Sequence, residues 1–194
     1  MNAEEKEYLD FLRVKAHSLL KEKRVKHVEG VEALSAAMAR VYGEDEYSAR
    51  LAAMFHDCAK KMSLSEQLEV CEKYGYTPDE YERESESLLH SKAGALIARY
   101  EFIVPAEVSE AIKWHTTGKE NMTKLEKIIY LADMIEPTRD FPGVDEIRRE
   151  AARDLDGAVI MALERTIDHC RERGQSVHPN SVKALEFLKK GRKQ

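Results

Sequence analysis

Apolar residues recur at intervals of three and four along nearly the whole chain, the spacing of one face of an α-helix. Leu9, Leu12, Ala16, Leu19 and Leu20 form the first stripe and predict a helix over about 3–22. A second runs from about Lys26 to Gly43, where a glycine suits a left-handed terminal residue. A third covers about 46–60. Ser63 with Glu66, and Thr123 with Glu126, have the spacing of capping boxes. The first opens a helix ending near Gly75, the second a helix that Pro137 stops. Thr77-Pro78-Asp79-Glu80 offers an N-cap, a proline at N1 and an acid at N3, so a helix is predicted to start there. Pro105 starts another that ends at His115-Thr116-Thr117-Gly118. Two more fill about 144–173 with a break near Asp156-Gly157, and the last spans about 179–191. No alternating strand pattern, repeat or low-complexity linker interrupts the series. The prediction is an all-α fold in one domain, 1–194, with a core at about 24–140 and C-terminal helices at about 144–191 packed on it.

Four of these stripes carry an ionisable side chain. His27 heads the stripe of Val31, Leu34, Met38 and Val41, and His56 ends that of Ala49, Ala52 and Ala53. His115 ends Val108, Ala111 and Ile112, and Asp133 shares a face with Leu125 and Ile129. Buried without a partner, such groups cost several kcal/mol or titrate to neutrality. A shared divalent ion removes that cost, because it takes neutral imidazole and ionised carboxylate as ligands. The donor set suits Fe, Mn, Zn or a similar ion. Asp57 directly follows His56. Adjacent helical residues diverge by about 100°, so both reach one ion only if it lies beside the open end of their helix. The remaining ligands then converge from neighbouring helices.

Composition narrows the function. The net charge of -5 argues against a general nucleic-acid surface. The one basic cluster, Lys189, Lys190, Arg192 and Lys193, reads as a solvated helix end. Cys58, Cys71 and Cys170 form no CxxC and read as reduced thiols. The start MNAEEKEYLDFL lacks the basic region and apolar run of a signal peptide, and no stretch is apolar enough to span a bilayer. A cytoplasmic protein is expected.

The order His…His-Asp…Asp is that of the HD superfamily of metal-dependent phosphohydrolases. The words RVKHVEGV at 24–31, FHDCAKKMS at 55–63, LLHSKAGA at 88–95, IKWHTTG at 112–118, IIYLADMIEPTRDFPGV at 128–144 and SVHPNSVKAL at 176–185 narrow this. With them the chain resembles the YqeK-type symmetrical diadenosine tetraphosphate hydrolases. The resemblance implies a helical HD domain with a mononuclear or dinuclear metal site in its core, built by His27, His56, Asp57 and Asp133. It implies iron as the favoured ion, with Mn or Co as substitutes. It also implies nucleotide contacts from Lys60, Lys61, Met62, Ser63, His90, His115, Thr116, Arg139 and the segment Ser176, Val177, His178, Pro179, Asn180, Ser181, besides His27, Asp57 and Asp133. Cys58 departs from the larger residue more usual in the family and reads as a small core residue.

The implied reaction is symmetrical hydrolysis of diadenosine tetraphosphate and related dinucleoside polyphosphates to two nucleoside diphosphates. Asp57, His90 and His115 are the expected catalytic residues. Asp57 can orient or deprotonate water. His90 and His115 either bind a second ion or contact phosphate oxygens, and the second role is expected because four ligands already complete one site. Lys60, Lys61 and Arg139 supply positive charge for the polyphosphate. The partners are then a dinucleoside polyphosphate or an ADP- or GDP-like nucleotide, and a second copy of the chain. Neither nucleic acid nor membrane is expected. Rival readings are another HD-type nucleotide phosphohydrolase or phosphodiesterase, and a non-catalytic nucleotide-binding module.

Overall fold

Ten α-helices and one short 3-10 turn make up the structure, a computed structural model that describes residues 3–192. No strand occurs among the described residues. The helices are α1 (Ala3–Ser18), α2 (Glu22–Tyr42), α3 (Glu46–Phe55), α4 (Leu64–Lys73), α5 (Glu86–Glu101), α6 (Ala106–Trp114), α7 (Lys124–Ile135), α8 (Val144–Ala151), α9 (Leu155–Glu172) and α10 (Pro179–Gly191). None is long and apolar enough to cross a membrane.

Local chemistry sets most boundaries. Ser63 with Glu66 and Thr123 with Glu126 form complete capping boxes for α4 and α7. Asp45 and Asp154 cap α3 and α9 by accepting from Ser48 N and Gly157 N. Gly43 closes α2 at φ 64°, where a Cβ would be strained. Glu136, the residue before Pro137, ends α7 in an extended conformation.

Packing then gathers the long helices around one core. α2 lies against α3 and α7, α3 and α7 both meet α6, and α5 lies between α4 and α6. α9 covers α7 and carries α8 and α10. Leu51, Phe55, Ile112, Ile128, Ile129 and Leu131 are fully buried between them. Each such side chain contributes roughly 1.5–3 kcal/mol of apolar burial.

Several sequence expectations need correction. The first helix ends at Ser18 rather than near 22. The third stops at Phe55, not 60, and the chain continues in hydrogen-bonded turns through Met62. His56 and Asp57 therefore sit on the turn that follows α3, with His56 still in the right-handed helical region at φ -54° and ψ -35°. No helix starts at Thr77: the Pro78 segment is irregular, and Asp79 instead caps the 3-10 turn Glu82–Glu84 by accepting from Tyr81 N and Glu82 N. The break in the C-terminal pair falls at 152–154, where Asp154 is the stronger cap, and Asp156-Gly157 lies inside α9. Val41 is 67% exposed. The buried stripe of α2 is centred between His27 and Val28, and four turns carry it to Tyr42, whose hydroxyl donates to Ala151 O. In the basic C-terminal cluster, Lys189 pairs with Glu164 and Arg192 with Asp154; Lys193 lies outside the described residues.

Candidate metal centre

His27 comes from the second turn of α2, His56 and Asp57 from the turn after α3, and Asp133 from the last turn of α7. Their ligand atoms meet. His27 Nε2 is 3.0 Å from Asp133 Oδ1, 3.3 Å from His56 Nε2 and 3.8 Å from Asp57 Oδ2. His56 Nε2 is 3.4 Å from Asp57 Oδ2 and 3.7 Å from Asp133 Oδ1. Bonds of about 2.0–2.2 Å from one ion produce ligand separations of this size.

The other face of Asp57 meets a second group. Its Oδ1 lies 3.1 Å from His90 Nε2 and 4.0 Å from His115 Nε2, and those two nitrogens are 3.1 Å apart. His90 projects from α5, and His115 is the C-cap of α6. Asp57 Oδ1 is fully buried and has no hydrogen-bond partner. An orphaned carboxylate oxygen is costly unless a cation faces it.

Ring orientation gives the same indication. His56 Nδ1 lies 2.7 Å from Ala53 O and His115 Nδ1 2.7 Å from Ile112 O. A carbonyl only accepts, so each Nδ1 carries the proton and each Nε2 presents a lone pair. His27 Nδ1 lies 3.0 Å from the Glu136 carboxylate, with the same consequence. Lone pairs that face one another across about 3 Å need a shared positive charge. Imidazole and carboxylate donors so placed fit a divalent transition-metal ion.

Titration follows the same demand. Burial lowers the His56 pKa, but in the metal-free protein the carboxylates of Asp57 and Asp133 outweigh it and push it up to about 10, so a proton at Nε2 supplies the positive charge that a bound ion would displace. Burial opposes ionisation of Asp57 and Asp133, yet the facing histidines hold both well below the usual carboxylate range. His115 is held well below its usual value by burial and then by His90 and His56. It is neutral at pH 7.

Around this cluster stand three residues that the sequence did not single out. Glu136 is fully buried and backs His27. Its signal was an acid at a helix C-terminus, where the dipole disfavours it. Gly30 leaves room for it, since a Cβ there would stand 2.7 Å from Glu136 Oε2. Arg24 Nη2 lies 2.5 Å from Asp57 Oδ2; it precedes His27 by one helical turn, and that spacing was its signal.

The expected nucleotide residues divide. Arg139 Nη2 donates to Asp133 Oδ1 at 2.7 Å and its Nε to Asp133 O at 2.8 Å. Lys60 Nζ is 3.2 Å from His90 Nδ1, whereas Lys61 is exposed and Ser63 caps α4. Thr116 joins His115, Asp133 and Arg139 around a cavity of about 340 Å³. Ser87 and Leu88 line both this cavity and a neighbouring one of about 510 Å³, which Tyr81 and Ser176 also line. His178 is buried; its Nδ1 accepts from Asn180 N, its Nε2 donates to Asp79 at 2.9 Å, and Pro179 follows at N1. Ser181 Oγ donates to Thr117 O at 2.9 Å. Cys58 is buried against Gly94, and burial pushes its thiol pKa up, so it is an inert core residue.

An HD domain model matches residues 24–138. The symmetrical bis(5'-nucleosyl)-tetraphosphatase of Halalkalibacterium halodurans is 40% identical over 90% of this chain and 92% of its own length. The chain belongs to the HD-domain symmetrical bis(5'-nucleosyl)-tetraphosphatase family. The Bacillus subtilis protein of the same description is 35% identical over 89% of this chain and 92% of its own length. A crystal structure from Clostridium acetobutylicum, described as a predicted HD superfamily hydrolase involved in NAD metabolism, superposes with a TM-score of 0.90. It is 39% identical and covers 94% of this chain and 97% of its own. The HD span contains both donor groups and Glu136 and stops just short of Arg139. The likeness to the tetraphosphatases extends well beyond it.

Proposed function

We propose that this protein hydrolyses diadenosine tetraphosphate and related dinucleoside polyphosphates symmetrically, releasing two nucleoside diphosphates, with a divalent metal as cofactor and iron as its natural choice. The approach of His27 Nε2 and His56 Nε2 to each other and to the carboxylates of Asp57 and Asp133, within 3.0–3.8 Å, carries the reading. Family membership supplies the substrate class.

His27, His56, Asp57 and Asp133 would hold the first ion through the atoms that meet at 3.0–3.8 Å. His90 Nε2, His115 Nε2 and Asp57 Oδ1 form the donor set for a second. One observation favours this over the phosphate contacts expected for the two histidines. With its Nδ1 proton committed to Ile112 O, neutral His115 has no donor left at Nε2 for a phosphate oxygen. The bound metal supplies Lewis acidity toward phosphoryl oxygen and acidifies water.

The protein side chains orient the reactants. Arg139 and Thr116 hold phosphate oxygens of one ADP half in the 340 Å³ cavity. The nucleoside continues past Ser87 and Leu88 toward Tyr81 and Ser176. This half fixes the distance between its base and the donor cluster, so water attacks the central anhydride. The bond between that phosphorus and the bridging oxygen breaks, and the second ADP leaves. Arg24 and Lys60, which touch the cluster from another side, stabilise the charge on the leaving oxygen.

Metal analysis of the purified protein with chromatography of its products tests the reading. Bound transition metal and ADP as sole nucleotide product are expected. Release of ATP with AMP early in the time course overturns it.

A further inference from the structure

Beside the junction of α1 and α2 lies a separate cavity of about 180 Å³, lined by Leu20, Lys21, Lys23, Arg24, Lys60 and Lys61. Five of its six lining residues are cationic and none is acidic, in a chain whose acids outnumber its lysines and arginines, 36 to 31. It shares no lining residue with the cavity that holds Asp133, His115 and Arg139. Yet it reaches the same cluster: Arg24 touches Asp57, and Lys60 touches His90.

The placement of these cations is unfavourable for the fold alone. Lys21 is the N-cap of α2 and forms no side-chain cap, and Lys23 and Arg24 follow in the first turn, where Glu22 is the single acid among three cations. A helix N-terminus carries partial positive charge and favours anions, so cations there are repelled by the dipole as well as by one another. Lys21, Lys23 and Lys61 are exposed and have no ion pair among the described residues. A bound polyanion resolves all of these repulsions together.

We propose that this cavity is the subsite for the second nucleoside diphosphate half of the substrate, with Lys21, Lys23 and Arg24 binding its phosphates. The inference rests on the symmetrical hydrolysis proposed above. If one ADP half fills the cavity beside Arg139 and the break falls at the cluster, the other half must leave the cluster by a different route. That half carries the same phosphates and needs its own cations. Arg24, which lines this cavity, touches the carboxylate that both donor groups share, so the tetraphosphate chain runs from Arg139 past Asp57 to Arg24. Substrate selectivity then reads both ends of the phosphate chain. A mononucleotide engages one end, and a dinucleoside tetraphosphate engages both.

The test uses Lys21→Glu/Lys23→Glu in the metal-loaded full chain. Both residues are exposed, and glutamate suits a helix N-terminus, so folding is preserved. Two measurements are made on parent and variant: kcat/KM for diadenosine tetraphosphate, and calorimetric titration with ADP alone. The parent is expected to bind two ADP per chain. The variant is expected to keep the tighter one unchanged, to lose the weaker one, and to lose kcat/KM by about tenfold or more. Metal content stays the same. One ADP per chain in the parent, an unchanged kcat/KM in the variant, or equal weakening of both ADP sites overturns the second subsite. Failure of the underlying reading shows separately, as a parent protein that does not convert diadenosine tetraphosphate to ADP.

Discussion

Glu136 holds His27 from behind: its Oε1 lies 3.0 Å from His27 Nδ1, while its Oε2 faces the bare backbone of Gly30. The carboxylate fixes the ring tautomer and raises the basicity of Nε2, as outer-sphere acids do for metal-bound histidines. Glu136→Gln is expected to lower metal affinity roughly tenfold to a hundredfold with the fold intact. Gly30→Ala should have a similar effect, since its Cβ would stand 2.7 Å from Glu136 Oε2. It should do so although alanine favours a helix by about 1 kcal/mol over glycine. Competition against a chromogenic chelator measures both, and parental affinity in the two variants refutes the relationship.

The shared donors should fail differently from outlying ones. Asp57→Ala removes an oxygen from each of the two donor groups, whereas His27→Ala removes one nitrogen from the first. Metal analysis is expected to give near-complete loss for Asp57→Ala and partial retention for His27→Ala, with hydrolysis abolished in Asp57→Ala. Chelation should abolish the parent's activity, and Fe, Mn or Co should restore it better than Mg, because imidazole favours those ions. Recovery by Mg alone counts against the site.

Arg139 donates to both the side chain and the carbonyl of Asp133. Arg139→Ala should therefore act mainly on substrate, by way of a lost charge-assisted contact worth about 1.5–3 kcal/mol. That is roughly a tenfold to hundredfold rise in KM. Arg139→Lys should recover only part of it, since an ammonium cannot offer the planar pair of N–H groups. Steady-state kinetics at saturating metal decides, and an unchanged KM in Arg139→Ala returns the residue to a structural role.

Lys92 supplies a pH test away from the chemistry. Its Nζ donates to Lys113 O at 2.7 Å, lies 4.0 Å above the Trp114 ring and 3.6 Å from Glu82. Burial lowers its pKa to about 8, and Glu82 only partly offsets this. The unfolded chain holds this proton up to its ordinary lysine range. Between pH 8 and that range the unfolded state binds more protons, so stability rises with pH by up to about 1.4 kcal/mol per unit. Lys92→Met lacks this gain. Urea midpoints from pH 7 to 10 should move in the parent's favour relative to the variant. Parallel curves would falsify the assignment.

Helix boundaries written in local chemistry were legible in the chain: the boxes at Ser63 and Thr123, and the left-handed Gly43. The Thr77-Pro78 start was misleading because Asp79 spends its side chain on Tyr81 N and Glu82 N. That is a long-range outcome, since Asp79 is also tied to His178, 99 residues away. Convergence of His27, His56 and Asp133 could be inferred because each terminates or heads an apolar stripe. The division of Asp57 between two groups could not, because it depends on a turn that ends α3 five residues early. Arg24 escaped notice because charge near a helix start looks solvated until a partner 33 residues away is known.

The hydrogen bond from Ser181 to the Thr117 carbonyl has a consequence for biogenesis. All the candidate ligands lie between His27 and Asp133, so they leave the ribosome well before α10. During synthesis the N-terminal part can collapse and bring these residues together, with Thr116 tied to Ser91, but the Thr117 carbonyl gains its Ser181 partner only once α10 emerges. At roughly 5–20 residues per second, that interval lasts several seconds. The His and Asp side chains of the cluster can thus assemble in the nascent chain before the last contact on the Thr117 turn is made.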